Sequence, residues 1–271
     1  MRPEQPARVI GSAAHLRNSH PDWEWRVPKS APEELLLLAH APAHLRRLTD
    51  PRDFDGDTPY FDGIYEHACR SVGAAVAAVE VALATGSPAF SLMRPPGHHA
   101  TQNQAMGFCY LNSIAVAALH AQQNLGAHRV AVWDFDAHHG NGTESILRGR
   151  ENMLFTSVHQ APGYPGTGLH SFENCLNWPI RPQTVSSAHM ATLRESFDRV
   201  TAFAPDVVLV SAGFDAYIGD PITSMTLDVS DFKELGRWLR EGRIPAAAVL
   251  EGGYSADLPL LIDAFLSAWE K

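Results

Sequence analysis

Short apolar runs alternate along the chain with longer segments in which apolar residues recur every three or four positions. The short runs predict strands at residues 89–93, 129–135, 153–158, 207–211 and 246–250. The longer segments predict helices at residues 32–48, 64–84, 112–123, 186–203, 231–241 and 258–269. Turn-forming residues predict loops at residues 57–62 and 161–177. This alternation is typical of βαβ units, so we predict a single α/β domain over residues 1–271, with a parallel sheet between two helical layers.

The composition is that of a globular protein and argues against several functional classes. With 271 residues, 45% of them hydrophobic, the chain can bury one large core. Its formal net charge of −9 argues against nucleic-acid binding and mildly favours cationic partners.

The three cysteines (Cys69, Cys109 and Cys175) form no CxxC pair, so we expect neither disulfides nor a thiolate zinc site. We expect a cytoplasmic location. We expect no membrane-spanning helix and no signal peptide.

Chemically reactive side chains follow four of the predicted strands. They occur in Arg-Pro-Pro-Gly-His-His at 94–99, in the aspartate and histidine cluster at 134–142, in Ala-Gly-Phe-Asp at 212–215 and in Glu-Gly-Gly-Tyr at 251–254. Ligands of open parallel sheets bind beyond the carboxyl ends of the strands, so we expect these segments to meet in one crevice. Each segment alone could be a helix cap, a turn or a packed aromatic. Their joint occurrence favours an active site.

The segment 130–142 predicts a metal site. Side chains alternate along a strand, so Asp134, Asp136 and His138 are expected to share one face. In that arrangement Asp136 and His138 can bind one cation, while Asp134 lies one layer deeper.

These segments resemble the zinc-dependent histone deacetylase family. Arg-Pro-Pro-Gly-His-His-Ala at 94–100 and His-His-Gly-Asn-Gly-Thr at 138–143 are similar to its class II branch and to bacterial amidohydrolases. Further matches, in family order, lie at 107–112, 164–168, 219–221 and 251–254. The resemblance implies the arginase/deacetylase fold, with a mostly parallel sheet of about eight strands. It also implies hydrolysis of an acyl amide on a lysine-like side chain of a protein or peptide, or on an acylated small amine. From the charge and the lack of a spanning segment we expect neither nucleic acid nor membrane as partner.

Matched residue by residue, the resemblance assigns Asp136, His138 and Asp215 as metal ligands. Two carboxylates and one imidazole suit Zn²⁺, and Fe²⁺ or Co²⁺ could also bind. The positions that hold a second metal in arginase-like relatives are Gly140 and Tyr217 here. This favours a single-metal hydrolase over guanidine hydrolysis. The family also implies a potassium ion held by backbone carbonyls, here those of Asp134, Asp136, His138 and Ser157.

The resemblance also implies the catalytic groups. His99 is expected to act as the general base and then to protonate the leaving amine, with His98 as electrostatic support. His98 would pair with Asp134, and His99 with Asn141, where class I enzymes have aspartate. Asparagine cannot stabilise imidazolium as a carboxylate does, so the two histidines should titrate differently. Tyr254 would donate its hydroxyl to the substrate carbonyl and the tetrahedral oxyanion.

A narrow channel is implied for the substrate. Phe108, beside Gly107, and Tyr164 match the aromatic pair that encloses the lysine methylenes, and Tyr164 replaces the usual phenylalanine. Asp57 matches a rim aspartate that binds the substrate backbone, although a solvated turn carboxylate would also account for it. The remaining assignments are Ile222 in the wall near the mouth and Arg8 in the product-release channel.

The match is poorest at the N-terminus. Family members usually begin with a strand and a His-Pro-Glu-x-Pro-x-Arg segment, whereas residues 1–8 here read Met-Arg-Pro-Glu-Gln-Pro-Ala-Arg. We therefore expect the first strand to be missing. An open sheet edge would favour a homo-oligomer.

Two other functions stay open. Acetylpolyamine deacetylation suits an acidic protein, but relatives with that specificity narrow the channel with acidic gatekeepers or a long insertion, which Ile222 and residues 51–62 do not obviously supply. Alternatively, the chain could be a catalytically idle acyl-group sensor. Product formation restored by added Zn²⁺ would exclude the sensor.

Overall fold

A parallel sheet forms the centre of the computed structural model, which describes residues 2–270. Its strands are β1 (Ala89–Ser91), β2 (Val130–Asp134), β3 (Met153–Gln160), β4 (Cys175–Ile180), β5 (Val207–Ala212) and β6 (Ala246–Leu250). The helices are α1 (Ala7–Ser19), α2 (Glu33–Leu36), α3 (Pro42–Leu48), α4 (Ile64–Thr85), α5 (Ser113–Asn124), α6 (Asn141–Leu147), α7 (Ser186–Ala202), α8 (Val229–Gly242) and α9 (Leu258–Glu270).

The strands lie in the order β1-β6-β5-β2-β3-β4, and all neighbours pair in parallel. Helices cover both faces, so the central strands are buried along their whole length and are apolar except for Asp134 in β2 and Ser211 in β5. Within β2, Val132 faces the core beneath α4 and α5, whereas Trp133 faces the core formed with α7, α8 and α9. The predicted single α/β domain is confirmed. Its predicted bounds, residues 1 and 271, lie outside the described residues.

The strand count implied by the resemblance was wrong: the sheet has six strands in the described residues, not about eight. Residues 7–19 form helix α1, which packs on α9, instead of a strand beside β1. His15 and His20 help to fix this packing, because each places Nε2 2.7 Å from a carboxylate oxygen of Asp263 on α9. That the family's first strand is missing stays a prediction.

Two further element predictions were wrong. The predicted helix 32–48 is two short helices, because Pro42 follows Ala41, and a residue before proline is disfavoured in the helical region. Ala41 is extended, with φ −73° and ψ 147°. The predicted loop 161–177 contains the start of β4, which pairs with β3. Helices α1 and α6 were not predicted.

Helix α4 bears on the expectation that the chain has no membrane-spanning helix. It has 22 residues and a mean hydropathy of 1.4 in its most apolar window, so length and composition alone would allow it to span a membrane. However, 56% of that window is buried within the protein, where α4 packs on β1, β6 and α5. A core helix of a folded domain meets the same criterion, so this is weak evidence for a membrane.

Candidate active site and metal centre

The carboxyl ends of the central strands bring the chemically reactive segments together. Asp134 ends β2 and is in register with Ser211 of β5, which is in register with Val249 of β6. The segments that follow these strands, together with the one that follows β1, therefore lie side by side. The segments after β1, β2 and β6 line one cavity of about 330 Å³, as expected from the general rule for parallel sheets, and Asp215 after β5 lies 2.9 Å from His138 in its wall.

Asp136, His138 and Asp215 come together beneath this cavity. They offer ligand atoms that lie within 4.8 Å of one another, and no other group of three or more such side chains occurs in residues 2–270. His138 Nδ1 lies 2.9 Å from Asp215 Oδ2 and 3.2 Å from Asp136 Oδ1. The two carboxylates are fully buried. The structure thus brings together the three residues that the sequence assigned as metal ligands.

The surroundings of the two carboxylates fit a bound divalent cation. Three backbone N–H groups donate to them: that of Ala137 to Asp215 Oδ1, that of His138 to Asp136 Oδ1 and that of Gly252 to Asp136 Oδ2. Burial and the adjacent Asp136 carboxylate raise the pKa of Asp215, whereas His98 and His138 outweigh burial and lower the pKa of Asp136. A cation bound between the carboxylates would offset both the cost of burying their charge and their mutual repulsion. The donor set of two carboxylates and one imidazole suits a metal with three protein ligands and free positions for water and substrate.

Glycine is required where the backbone passes these carboxylates. A Cβ on Gly252 would lie 2.2 Å from Asp215 Oδ2, and one on Gly213 would lie 2.1 Å from Asp136 Oδ2. Any side chain at either position would displace a ligand. The two loops can therefore close over the carboxylates only because they carry no side chain there.

The two positions that carry second-metal carboxylates in arginase-like relatives do not supply such ligands here. A Cβ on Gly140 would lie 2.3 Å from Asp134 Oδ2, so no carboxylate fits there. Tyr217 directs its hydroxyl to Asp257 Oδ2, at 3.0 Å. The sequence-based prediction of a single-metal site agrees with this geometry.

His98 and His99 lie next to each other, with ring centroids 4.0 Å apart, and have different partners. His98 Nδ1 is 2.9 Å from Asp134 Oδ2, and His99 Nδ1 is 2.8 Å from Asn141 Oδ1. Burial lowers the pKa of His98, but Asp134 and the other nearby carboxylates outweigh it and raise the pKa to about 10. Burial and the neighbouring His98 hold the pKa of His99 well below its ordinary value. The pKa values of His98 and His99 therefore shift in opposite directions, as expected from their different partners.

Glu251 has a role that the sequence analysis did not assign. Its Oε2 accepts hydrogen bonds from Gly97 N–H at 2.7 Å and His98 N–H at 3.1 Å, while Oε1 is buried without a partner. Burial raises the pKa of Glu251 to about 7. Its position could have indicated this role, because Glu251 is an ionisable residue directly after the buried parallel strand β6.

Tyr254 lies in the cavity wall and is held by Asp220 and Arg8. Its N–H donates to Asp220 Oδ2 at 2.8 Å, and the guanidinium carbon of Arg8 lies 4.6 Å from the centroid of its ring. Arg8 is itself fixed, because its Nε donates to Gly253 O at 2.7 Å. Burial raises the pKa of Tyr254 well above its ordinary value, and Arg8 offsets this only in part. The hydroxyl therefore stays protonated and can act as a donor. Asp220 is a second residue whose role the sequence analysis missed.

The predicted channel residues all line the same cavity. Phe108 contacts Tyr254 edge to face, with ring centroids 5.9 Å apart, and Tyr164 contacts His99 in the same manner at 5.1 Å. Gly107 lies between them; a Cβ there would be 2.6 Å from the His99 ring and 2.8 Å from Tyr164. The mouth residues are Asp57, which is exposed, and Ile222, which is partly exposed.

The predicted potassium ligands are also neighbours. Ser157 of β3 is in register with Asp134 of β2. Both residues are fully buried, and Ser157 Oγ lies 2.9 Å from His159 Nδ1. Burial lowers the pKa of His159 to about 3, so this imidazole is neutral. Potassium binding stays a prediction.

Comparison with known proteins supports this picture. Residues 2–267 match the family model of the histone deacetylase domain. The chain is 38% identical over 252 residues to the histone deacetylase-like amidohydrolase of Pseudomonas aeruginosa, covering 85% of this chain and 66% of that protein. It is 31% identical over 274 residues to acetylpolyamine amidohydrolase 2 of the same organism, covering 93% and 78%. Among solved structures, acetylpolyamine aminohydrolase from Burkholderia pseudomallei is similar with a TM-score of 0.91 and 27% identity, covering 99% of this chain and 91% of that one.

Proposed function

This chain belongs to the histone deacetylase domain family, and we propose that it is a metal-dependent deacetylase acting on the side-chain amine of acyl-lysine in proteins or peptides. Hydrolysis of an acyl amide is the activity that the names of its relatives share. One observation carries the proposal. Two candidate metal ligands (Asp136 and His138), two differently paired histidines and a tyrosine line one cavity of about 330 Å³, and the third candidate ligand, Asp215, lies 2.9 Å from His138.

Asp136, His138 and Asp215 would hold the metal, and their chemistry favours Zn²⁺, with Fe²⁺ or Co²⁺ as alternatives. A divalent cation bound there supplies Lewis acidity, which polarises the acyl carbonyl and lowers the pKa of water. The surrounding loops keep the three side chains in place, since Gly252 and Gly213 contact the carboxylates directly.

His99 is placed to move the proton. Its Nδ1 lies 2.8 Å from the amide oxygen of Asn141, which can only accept a hydrogen bond, so Nδ1 carries the proton and Nε2 has a free lone pair. That lone pair can take a proton from the attacking water and return it to the leaving amine. His98, paired with Asp134, places positive charge beside His99 and so disfavours a lasting imidazolium there.

Tyr254 would stabilise the oxyanion. Its hydroxyl stays protonated and donates to the substrate carbonyl oxygen as negative charge develops during attack. The hydrogen bond from Tyr254 N–H to Asp220 and the stacked guanidinium of Arg8 restrain the ring. This restraint reduces the reorganisation required at the moment of reaction.

The channel favours an unbranched amine. Phe108 and Tyr164 place aromatic surfaces in the cavity wall, which suits methylene groups. Asp57 at the mouth would accept hydrogen bonds from the substrate backbone. These assignments describe a tube that delivers the acyl group to Tyr254 and the metal ligands.

Acetylpolyamine deacetylation is the second candidate. The relative named acetylpolyamine amidohydrolase 2 matches 93% of this chain. Asp55 and Asp57 also lie close enough to the mouth for their charge to add to the effect of burial in raising the pKa of Tyr164. Carboxylates at this position would attract a second amine of a polyamine.

A substrate panel with and without chelator tests the proposal. The purified protein would be assayed on acetyl-lysine and longer acyl-lysine peptides and on acetylpolyamines, after metal removal and after addition of Zn²⁺, Fe²⁺ or Co²⁺. We expect turnover that disappears with the metal and returns with it, and faster turnover of acetyl-lysine than of acetylpolyamines. Metal and ligand binding without product under every condition would instead support the acyl-group sensor.

We also propose a K⁺ ion beside β2 and β3, and a homo-oligomeric assembly in the cytoplasm. The register of Asp134 with Ser157 supports the first, and the edge position of β1 in the sheet supports the second. A monomeric mass in light scattering across a concentration series would contradict the oligomer.

A further inference from the structure

The channel aromatic Phe108 lies in a strained turn. Met106 and Cys109 exchange backbone hydrogen bonds of 3.0 and 2.9 Å, so Gly107 and Phe108 form a two-residue hairpin loop. Both have positive φ, 56° and 68°. Such loops normally carry glycine, asparagine or aspartate, and a bulky aromatic residue with positive φ is unusual. Something outside the turn must therefore stabilise this conformation.

That stabilising contact comes from Thr58, which is 50 residues away in the chain. The N–H of Phe108 is not used within the turn and donates to Thr58 Oγ1 at 3.1 Å. Thr58 is fully buried, so water does not compete for this bond. This hydrogen bond connects the rim loop, which carries Asp57, to the turn that carries Phe108.

The rim loop is rigid enough to act as an anchor. Asp55 Oδ1 accepts hydrogen bonds from the N–H groups of Asp57 and Thr58, at 2.9 and 2.6 Å. Thr58 O accepts a further bond from Phe54 N–H at 2.9 Å. Thr58 is thus held through its own backbone while its hydroxyl group holds Phe108.

Phe108 also separates two cavities. It lines the channel of about 330 Å³ and a neighbouring cavity of about 190 Å³, and apart from it only Asp57 lines both. A shift of the Phe108 ring toward the smaller cavity would widen the channel at the level of the substrate methylenes. The position of Phe108 therefore sets the thickness of the amine chain that can enter.

We propose that Thr58 is a positioning residue that determines substrate specificity, because its hydroxyl group holds Phe108 as the wall between the two cavities. The inference rests on the proposed deacetylase function. Thr58 touches no reacting atom, so its loss should alter substrate binding and selectivity and leave the chemical step largely intact.

The test compares Thr58→Val, which keeps the shape and removes the hydroxyl, with Thr58→Ser, which keeps the hydroxyl. The substrates are an acetyl-lysine peptide and the same peptide with a methyl branch on the γ carbon of the lysine. For Thr58→Val we expect KM for the unbranched peptide to rise about 2- to 10-fold, the range for one lost hydrogen bond, with kcat little changed. The preference for the unbranched over the branched peptide should fall by a similar factor. Thr58→Ser should keep the wild-type preference.

Each outcome decides a different question. If the wild type turns over no acylated amine, the proposed function fails, whatever Thr58 does. If the wild type is active and Thr58→Val keeps its KM and preference, or Thr58→Ser loses the preference equally, the inference about Thr58 is overturned. Should Thr58→Val not fold, Phe108→Ala removes the wall directly and must lower the preference. An unchanged preference in Phe108→Ala would also overturn the inference.

Discussion

The carboxylate of Glu251 accepts a hydrogen bond from the backbone N–H of His98, although the two residues are 153 positions apart. The same oxygen accepts from Gly97 N–H, so one buried side chain after β6 fixes the loop that follows β1. This loop carries both catalytic histidines of the proposed mechanism. The position of His98 and His99 therefore depends on a residue that contacts neither metal ligands nor the proposed substrate path.

We expect Glu251→Ala to lower activity and stability together. Two buried N–H groups would lose their acceptor, at a cost of about 1–3 kcal/mol for each unsatisfied group. A displacement of the histidines by about 1 Å can reduce kcat by roughly 10²-fold. Glu251→Gln keeps an oxygen that can accept both bonds and should lose much less of both. Urea unfolding and steady-state kinetics measure the two effects, and a fully stable, fully active Glu251→Ala protein would contradict this account.

Tyr254→Phe should reduce kcat by about 10²–10³-fold, the usual cost of removing one oxyanion donor. KM should change little, because the hydroxyl acts mainly in the transition state. Tyr217→Phe is the matched control, since its hydroxyl binds Asp257 outside the cavity, and it should retain wild-type kcat. Equal turnover of an acetyl-lysine peptide by the wild type and Tyr254→Phe would refute the assigned role.

Gly252→Ala tests the metal centre without changing a ligand. The added Cβ would lie 2.2 Å from Asp215 Oδ2, so the carboxylate must move. We expect metal affinity to fall by at least the roughly 10–100-fold typical of disturbing the groups around a ligand. Gly11→Ala in helix α1 is the control, because its Cβ would meet nothing closer than 4.0 Å. Elemental analysis after dialysis measures the effect, and an equal metal content in both variants would argue against a site at Asp215.

The local sequence predicted the residues of the site better than the residues that support it. Asp136, His138 and Asp215 directly follow apolar strands, so parallel-sheet topology is enough to bring them together. Thr58 and Asp220 could not be found in this way. Their partners, Phe108 N–H and Tyr254 N–H, are backbone groups of distant loops, and the sequence of a loop does not specify which side chain will reach it.

The errors in the fold have a similar origin. Strand β4 lies among turn residues and contains Pro179, so its apolar alternation is short and easily missed. Its start is nevertheless fixed by the chain itself, because Phe172 and Cys175 exchange backbone hydrogen bonds of 2.8 Å. Helix α1 is only weakly amphipathic and becomes stable through tertiary contacts, including those of His15 with Asp263 on α9.

We expect the buried His189 of α7 to lower the free energy of unfolding in acid. It is buried on the same helical face as Leu193, and neither ring nitrogen has a partner. Burial lowers its pKa from 6.5 to about 4, so the folded state binds this proton less tightly than the unfolded state does. The contribution of neutral His189 is fully present above pH 6.5, is lost progressively as the pH falls from 6.5 to 4, and is gone below pH 4. At pH 4.5 the loss should be about 2–3 kcal/mol relative to neutral pH.

The variant His189→Leu cannot gain this proton and should be less sensitive to acid than the wild type. Urea unfolding at pH 7 and pH 4.5 measures the difference for each protein. His128→Leu, at an exposed position, is the control and should keep the wild-type dependence on pH. Because His40 also has a lowered pKa, of about 3, some acid sensitivity should persist in His189→Leu. If His189→Leu lost as much stability between the two pH values as the wild type, His189 would not be a source of the acid sensitivity.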